Sequence, residues 1–144
     1  MSSAASQSRM VAALREFWRR HSHFREGAEW ATQVLSASPE PTVGRAGVLL
    51  TLGEMLLNHN RPAAAQQSLE EALALFRGTG DQVGVAQTLG ELGWAVYLAH
   101  QQQASLPYFR ASLAVAEQQG DPALAAHALI GMAHVLVYEG NYTP

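Results

Sequence analysis

The sequence predicts an all-α fold, a right-handed α-solenoid built from antiparallel helix hairpins with about seven helices. Two observations predict it. The pair Gly80-Asp81 recurs 40 residues later as Gly120-Asp121. Apolar residues also recur at equivalent positions 40 residues apart, which we call columns, and within each unit they have helical spacing. A helix hairpin cannot bury its apolar face alone, so hairpins that repeat are expected to stack. We expect one domain over 1–144, with units at about 8–41, 45–81, 85–121 and 122–144, the last incomplete.

The first predicted hairpin, with helices over about 6–21 and 24–37, is less regular than the others. Val11 and Trp18 have helical spacing, but they match the next unit at an offset of 38 rather than 40. Trp30 places an aromatic side chain where the later units are aliphatic. Terminal repeats are often atypical, so this hairpin is either a terminal cap or a unit whose register slips.

The second and third units predict helices over about 43–58, 62–77, 82–99 and 102–118. The matching columns are Leu49 with Leu89, Leu52 with Leu92 and Gly53 with Gly93 in the first helices, and Leu69 with Phe109 in the second helices. A residue without bulk lets one helix approach its partner closely. We therefore expect a bulky residue at Gly93 to overpack the hairpin, at a cost of ~1–3 kcal/mol.

Helix ends are marked by residues suited to them. Gly80 and Gly120 suit the left-handed position after a helix, while Asp81 and Asp121 suit the N-cap that follows. Pro122 suits the first position of a helix, because its missing N–H has no partner there. These residues separate the repeating units.

The last predicted helix, over about 122–139, repeats the first-helix columns. Leu129, Met132 and Leu136 continue the aliphatic positions, and Ala133 continues the small one. No second helix follows within the sequence, so we expect this apolar face to lack cover. Self-association through the incomplete fourth unit is therefore expected.

The repeat resembles the tetratricopeptide repeat, which has a small residue in its first helix, a turn, and small and aromatic positions in its second. The residues that carry the resemblance are Gly53, Ala65, Leu69 and Ala72, then Gly93 and Phe109, then Ala133 with Gly140-Asn141-Tyr142. His100 stands where the turn of that family usually has glycine. Units of 40 residues, rather than ~34, are similar to the long-unit arrays of bacterial LuxR-like transcriptional regulators and STAND-type signalling ATPases.

Composition excludes several kinds of chemistry. The 144 residues contain no cysteine and no lysine, so neither a thiol nucleophile nor a lysine-containing phosphate loop is present. A net charge of -3 does not favour direct binding of nucleic acid, and no apolar run approaches a membrane span. We expect a cytoplasmic protein that is not an enzyme and uses no cofactor.

Two histidine pairs are candidate metal ligands. His127 and His134 lie seven residues apart on one helical face, and His21 and His23 form an H-x-H pair. Neither pair has carboxylate or thiolate companions at a spacing typical of a metal site. We expect no metal, with these histidines contacting solvent or a partner.

Helix geometry places a second column beside the apolar one, on the side that lines the concave surface of a superhelical array. Aromatic residues there combine a large apolar area with a polar tip, as binding anchors do. The candidate partner-binding residues are Glu54, Asn58, Gln87, Trp94, Tyr97, His127, His134 and Tyr138. The alternative for Trp94 is that it packs against the next unit.

The resemblance implies a non-enzymatic segment that binds a protein, a peptide or a small effector, or contacts a neighbouring domain of its own chain. We expect it to belong to a larger bacterial signalling ATPase or transcriptional regulator. The alternative is a free-standing adaptor that binds a peptide in its concave groove, and an enzyme with a site there is a third, weaker hypothesis. The family's lysine-based clamp for a peptide carboxylate is not expected, since the sequence has no lysine.

Overall fold

The computed structural model describes residues 24–37 and 43–140, and these residues form helices joined by short turns, with no strand among them. The helices are α1 (Phe24–Ala37), α2 (Val43–Asn58), α3 (Pro62–Thr79), α4 (Gln82–Leu98), α5 (Gln102–Gln119) and α6 (Pro122–Gly140). The expected helix ends agree closely, and the largest difference is at the end of α3, which reaches residue 79 instead of 77. The helix expected over 6–21, with Val11, Trp18, His21 and His23, lies outside the described residues.

Successive helices pack against each other in chain order, so α2 with α3 and α4 with α5 form antiparallel hairpins. In addition α4 contacts both α2 and α6, whereas α3 and α5 touch each other at most marginally. The first helices of successive units are therefore closer together than the second helices. The stack consequently curves with α2, α4 and α6 on its inner face. None of the helices in the described part of the chain is both long and apolar enough to cross a membrane.

The core is continuous from one hairpin to the next. Leu49 and Leu89 are buried, as their column predicts, and α1 joins the stack by packing Ala31 and Val34 near Val48 of α2. Trp30 is half-buried against this second cluster. The aromatic residue of the irregular first unit thus contributes to the end of the core.

The expected helix-end residues are confirmed. Gly80 and Gly120 have φ angles of 77° and 65°, the left-handed conformation that glycine adopts without strain. The Asp81 carboxylate accepts a hydrogen bond of 3.0 Å from the Gly84 N–H, and Asp121 caps α6 in the same way. These caps satisfy amide groups that a helix start leaves without a partner.

The turns inside the two central hairpins use left-handed residues other than glycine. Asn60 has φ 59° and His100 has φ 64°, and they occupy matching places 40 residues apart. Asparagine and histidine are among the residues that tolerate this region best. The absence of glycine at His100 is thus compatible with the turn geometry of the repeat.

One face of α6 is apolar and exposed. Leu129 and Leu136 are 52% and 53% exposed, as expected for a first helix without a covering partner, and Met132 is half-buried. Ile130 and Val137 extend the exposed apolar surface. Among the described residues, four of the six exposed large hydrophobic side chains belong to this helix.

Close helix contacts occur at two glycines of the expected column and at one glycine outside it. A Cβ on Gly53 would lie 2.5 Å from Leu69, and one on Gly93 would lie 2.6 Å from the Phe109 ring. In the fourth unit the small residue of the column, Ala133, is exposed, on the helix whose apolar face was expected to lack cover. Gly131, which is not in that column, makes a different close contact: α6 packs on the preceding hairpin, and a Cβ at Gly131 would overlap the Phe109 ring. The Phe109 side chain therefore lies between two glycines of different units.

Candidate binding groove

A cavity of about 90 Å³ opens on the inner face, where α2, α4 and α6 approach each other. Its polar and aromatic lining residues are Glu54 from α2, Gln87, Glu91 and Trp94 from α4, Ser112 from α5 and His127 from α6. Leu50 and Leu124 contribute apolar walls. Each of three successive units supplies its first helix to this one site.

The spacing of the lining residues explains how the helices present them. On α4, the residues Gln87, Glu91 and Trp94 are four and three positions apart, so they lie along one face of the helix. On α2, Leu50 and Glu54 are also four apart. The side chains thus converge because the same helical face recurs in each unit.

Trp94 is half-buried and touches several rings. Its ring centroid lies 5.3 Å from that of Phe109, 5.6 Å from that of Tyr97 and 5.1 Å from that of His134, each in an edge-to-face arrangement. The two interpretations of Trp94 are therefore compatible, since it packs against His134 of the next unit and also lines the cavity. Packing on several rings holds the indole in place.

Four of the eight candidate residues line the cavity, namely Glu54, Gln87, Trp94 and His127. Tyr97 and His134 lie next to it, because both rings contact Trp94.

The remaining two candidates are not placed in the cavity lining. Asn58 is exposed, and its side-chain N–H donates a hydrogen bond of 2.9 Å to the Glu54 carbonyl of its own helix. Tyr138 belongs to α6, but its side chain lies outside the described part of the chain.

Two features of the cavity carboxylates were not expected from the sequence: the burial of Glu54 and the presence of Glu91 in the lining. Glu54 was expected on a solvent-facing side, yet it is only 9% exposed, because α4 covers this part of α2. Glu91 was not among the candidates, although it is half-buried in the cavity lining. Its spacing from Gln87 and Trp94 would have indicated the same face.

The histidines do not assemble a metal site within the described residues. No group of three or more histidine, aspartate or glutamate side chains there has a geometry that holds a metal ion. His127 and His134 are both exposed on α6.

The repeat pattern and the hairpin geometry agree with a known family. The sequence profile described as "Tetratricopeptide repeat" matches residues 44–118, which is more than half of the chain. This chain belongs to the tetratricopeptide repeat family. The match covers both complete hairpins, α2 with α3 and α4 with α5, and most of the groove lining.

Solved structures with a similar fold support the α-solenoid architecture of this tetratricopeptide repeat protein. Rap protein complexed with competence and sporulation factor is similar at a TM-score of 0.84 and 16% identity, covering 99% of this chain and 40% of that chain. BtubC (BKLC) from P. vanneervenii has a TM-score of 0.79 and 19% identity, with 94% and 57% covered.

The N-terminal domain of stress-induced protein-1 (STI-1) from C. elegans is also similar. Its TM-score is 0.67 at 14% identity, and the match covers 91% of this chain and 98% of that domain. This tetratricopeptide repeat chain therefore spans 40% and 57% of the first two chains and nearly all of the third. The predicted fold class, a TPR-like solenoid, is confirmed. A search of curated proteins finds no match to the sequence.

Proposed function

We propose that this tetratricopeptide repeat segment is a non-enzymatic interaction module that binds a peptide, or an extended segment of a partner protein, along its inner face. The observation that carries the proposal is the cavity shared by α2, α4 and α6, with the half-buried Trp94 in its wall. Trp94 and Tyr97 are the proposed anchors. The sequence contains no recognisable catalytic signature, which favours binding over catalysis.

The chemistry of the groove suits a peptide. A half-buried indole supplies a large rigid apolar area at low cost in conformational entropy. Gln87 carries both a donor and an acceptor, so its amide is able to bond the backbone of an extended chain. The similar Rap structure holds competence and sporulation factor, and this supports a role in binding a partner or effector.

We further propose that the segment belongs to a longer bacterial cytoplasmic regulator, in which binding at the groove biases an ATPase or DNA-binding output. The larger size of the Rap and BtubC chains relative to the matched segment is compatible with this. The alternative is an adaptor, supported by the N-terminal domain of STI-1, which is almost fully covered by the match. A nucleotide-binding motif in the same reading frame would favour the regulator, and a reading frame holding only this repeat would favour the adaptor.

The binding proposal is tested by selecting peptides from a random display library against the protein. Affinities of a selected peptide are then measured by calorimetry for the native chain and for Trp94→Ala and Gln87→Ala. We expect at least about a tenfold loss for Trp94→Ala, equivalent to ~1.4 kcal/mol. Gln87→Ala removes polar contacts and little packing, so it tests the groove without disturbing the aromatic cluster.

The matched control is Arg110→Ala, which changes an exposed residue on α5, outside the cavity lining. Its affinity should stay within about twofold of the native value. Thermal melts of all variants separate loss of binding from loss of folding. Unchanged affinity in both groove variants would place the binding site elsewhere and refute the proposal.

The exposed face of α6 is the basis of a second proposal, that two copies of the segment associate through it. Leu129, Leu136 and Val137 are 52%, 53% and 63% exposed, which is unusual for large aliphatic side chains in one patch. Light scattering across a concentration series is expected to show dimers, and Leu136→Glu should restore monomers. A strict monomer at high concentration would contradict self-association.

A further inference from the structure

We propose that the groove cavity takes a positively charged side chain, specifically the arginine of a bound peptide. The inference rests on the proposed peptide-binding function and adds the residue class that the peptide must present. Its basis is the side-chain chemistry that α2, α4 and α6 bring together around the cavity.

The cavity wall contains two carboxylates and one histidine, His127. Glu54 of α2 and Glu91 of α4 are carboxylates from different units, and among the described lining residues none is arginine. Lysine does not occur in the sequence. A cation that enters therefore meets two carboxylates, whereas an acidic side chain would be repelled by both.

Burial strengthens the attraction. Glu54 is only 9% exposed, and a charge shielded from water acts through a lower effective dielectric than one on the surface. Salt screens such partly buried pairs less than exposed pairs. An apolar occupant would remove water from the same carboxylates without offering a charge in return, which is unfavourable.

The remaining lining residues suit a guanidinium better than an ammonium group. The planar guanidinium stacks on an indole and donates paired hydrogen bonds to a carboxylate. Trp94 supplies the indole and Gln87 an amide oxygen that accepts a further hydrogen bond. The volume of about 90 Å³ is several times the ~10–15 Å³ that a single water needs.

The test uses small probes, so that it does not depend on finding a peptide. N-acetyl-arginine amide is titrated into the protein, and the NMR resonances of the Trp94 indole N–H and the Gly90 amide are followed. N-acetyl-citrulline amide is the neutral probe of the same shape, and glycine amide carries a terminal ammonium instead of a basic side chain. We expect saturable shifts in the millimolar range for the arginine probe and at least about tenfold weaker binding for the other two.

The protein variants are Glu54→Gln and Glu91→Gln, with Glu117→Gln as the control because Glu117 is exposed on α5, outside the cavity lining. Each cavity variant should weaken the affinity for the arginine probe by about tenfold and leave the affinity for the citrulline probe within about twofold of the native value. The control variant should change neither affinity. Equal binding of arginine and citrulline, or no binding of either, would overturn the inference. If Trp94→Ala still abolished peptide binding in that case, the peptide-binding function would stand without the arginine preference.

Discussion

The glycine contacts around Phe109 lead to a prediction about stability. Gly93 of α4 is in contact with the Phe109 ring, and a Cβ at that position would lie 2.6 Å from the ring. The ring is fully buried, is also in contact with Gly131 and packs edge-to-face with Trp94, so neighbours on several sides restrict its movement. We expect Gly93→Ala to destabilise the fold. Gly47 of α2 is the matched control, because a Cβ there would meet nothing within 4 Å.

The magnitude follows from two opposing effects. Replacing glycine by alanine inside a helix stabilises it by ~1 kcal/mol, because the unfolded chain loses conformational freedom. At Gly93 this gain is opposed by an overpacking cost of ~1–3 kcal/mol, whereas at Gly47 only the gain remains. The two alanine variants should therefore differ by ~1–3 kcal/mol in their free energy of unfolding.

Urea denaturation and thermal melting measure this difference. At about 3–5 °C per kcal/mol for a chain of this size, the melting temperatures of the two variants should be separated by about 3–15 °C. Gly93→Leu, with more bulk, should be at least as unstable as Gly93→Ala. The reasoning is refuted if Gly93→Ala stabilises the protein as much as Gly47→Ala does.

Two further substitutions test hydrogen bonds in the core and at a helix start. Asp81→Ala removes the acceptor for the Gly84 N–H and should lower the free energy of unfolding, measured by urea denaturation, by ~1 kcal/mol. Asp81→Asn keeps an acceptor and should largely avoid this loss. Ser112→Ala removes a buried hydroxyl that donates to the Ala86 carbonyl at 2.7 Å, and should cost ~1 kcal/mol. The exposed Ser36→Ala is its control, and equal effects at the two serines would show that the bond between α5 and α4 contributes nothing.

The helical framework could be predicted from the sequence because its determinants are local or periodic. The 40-residue spacing aligns Leu49 with Leu89, and both are buried. Gly80 and Asp81 mark a helix end and the next start through short-range geometry, and the structure confirms both roles. Neither inference requires knowledge of how distant helices meet.

Contacts between units could not be predicted in the same way. The close approach of Gly131 to Phe109 depends on how α6 packs against α5 of the preceding unit, and the repeat pattern did not indicate it. Glu91 was missed, although its spacing of four residues from Gln87 and three from Trp94 places it on the groove face. The cavity exists only after three helices are brought together, although Glu54 and Trp94 were predicted to share its face.

The cavity wall also has a mechanical consequence. It includes residues from α2 and α6, which belong to units two layers apart and are joined mainly through α4. A ligand bound there would contact both α2 and α6, which are otherwise connected mainly through α4. It would therefore oppose twisting of the superhelix. Amide hydrogen exchange should then slow in both outer layers at once, far beyond the few residues that the ligand contacts.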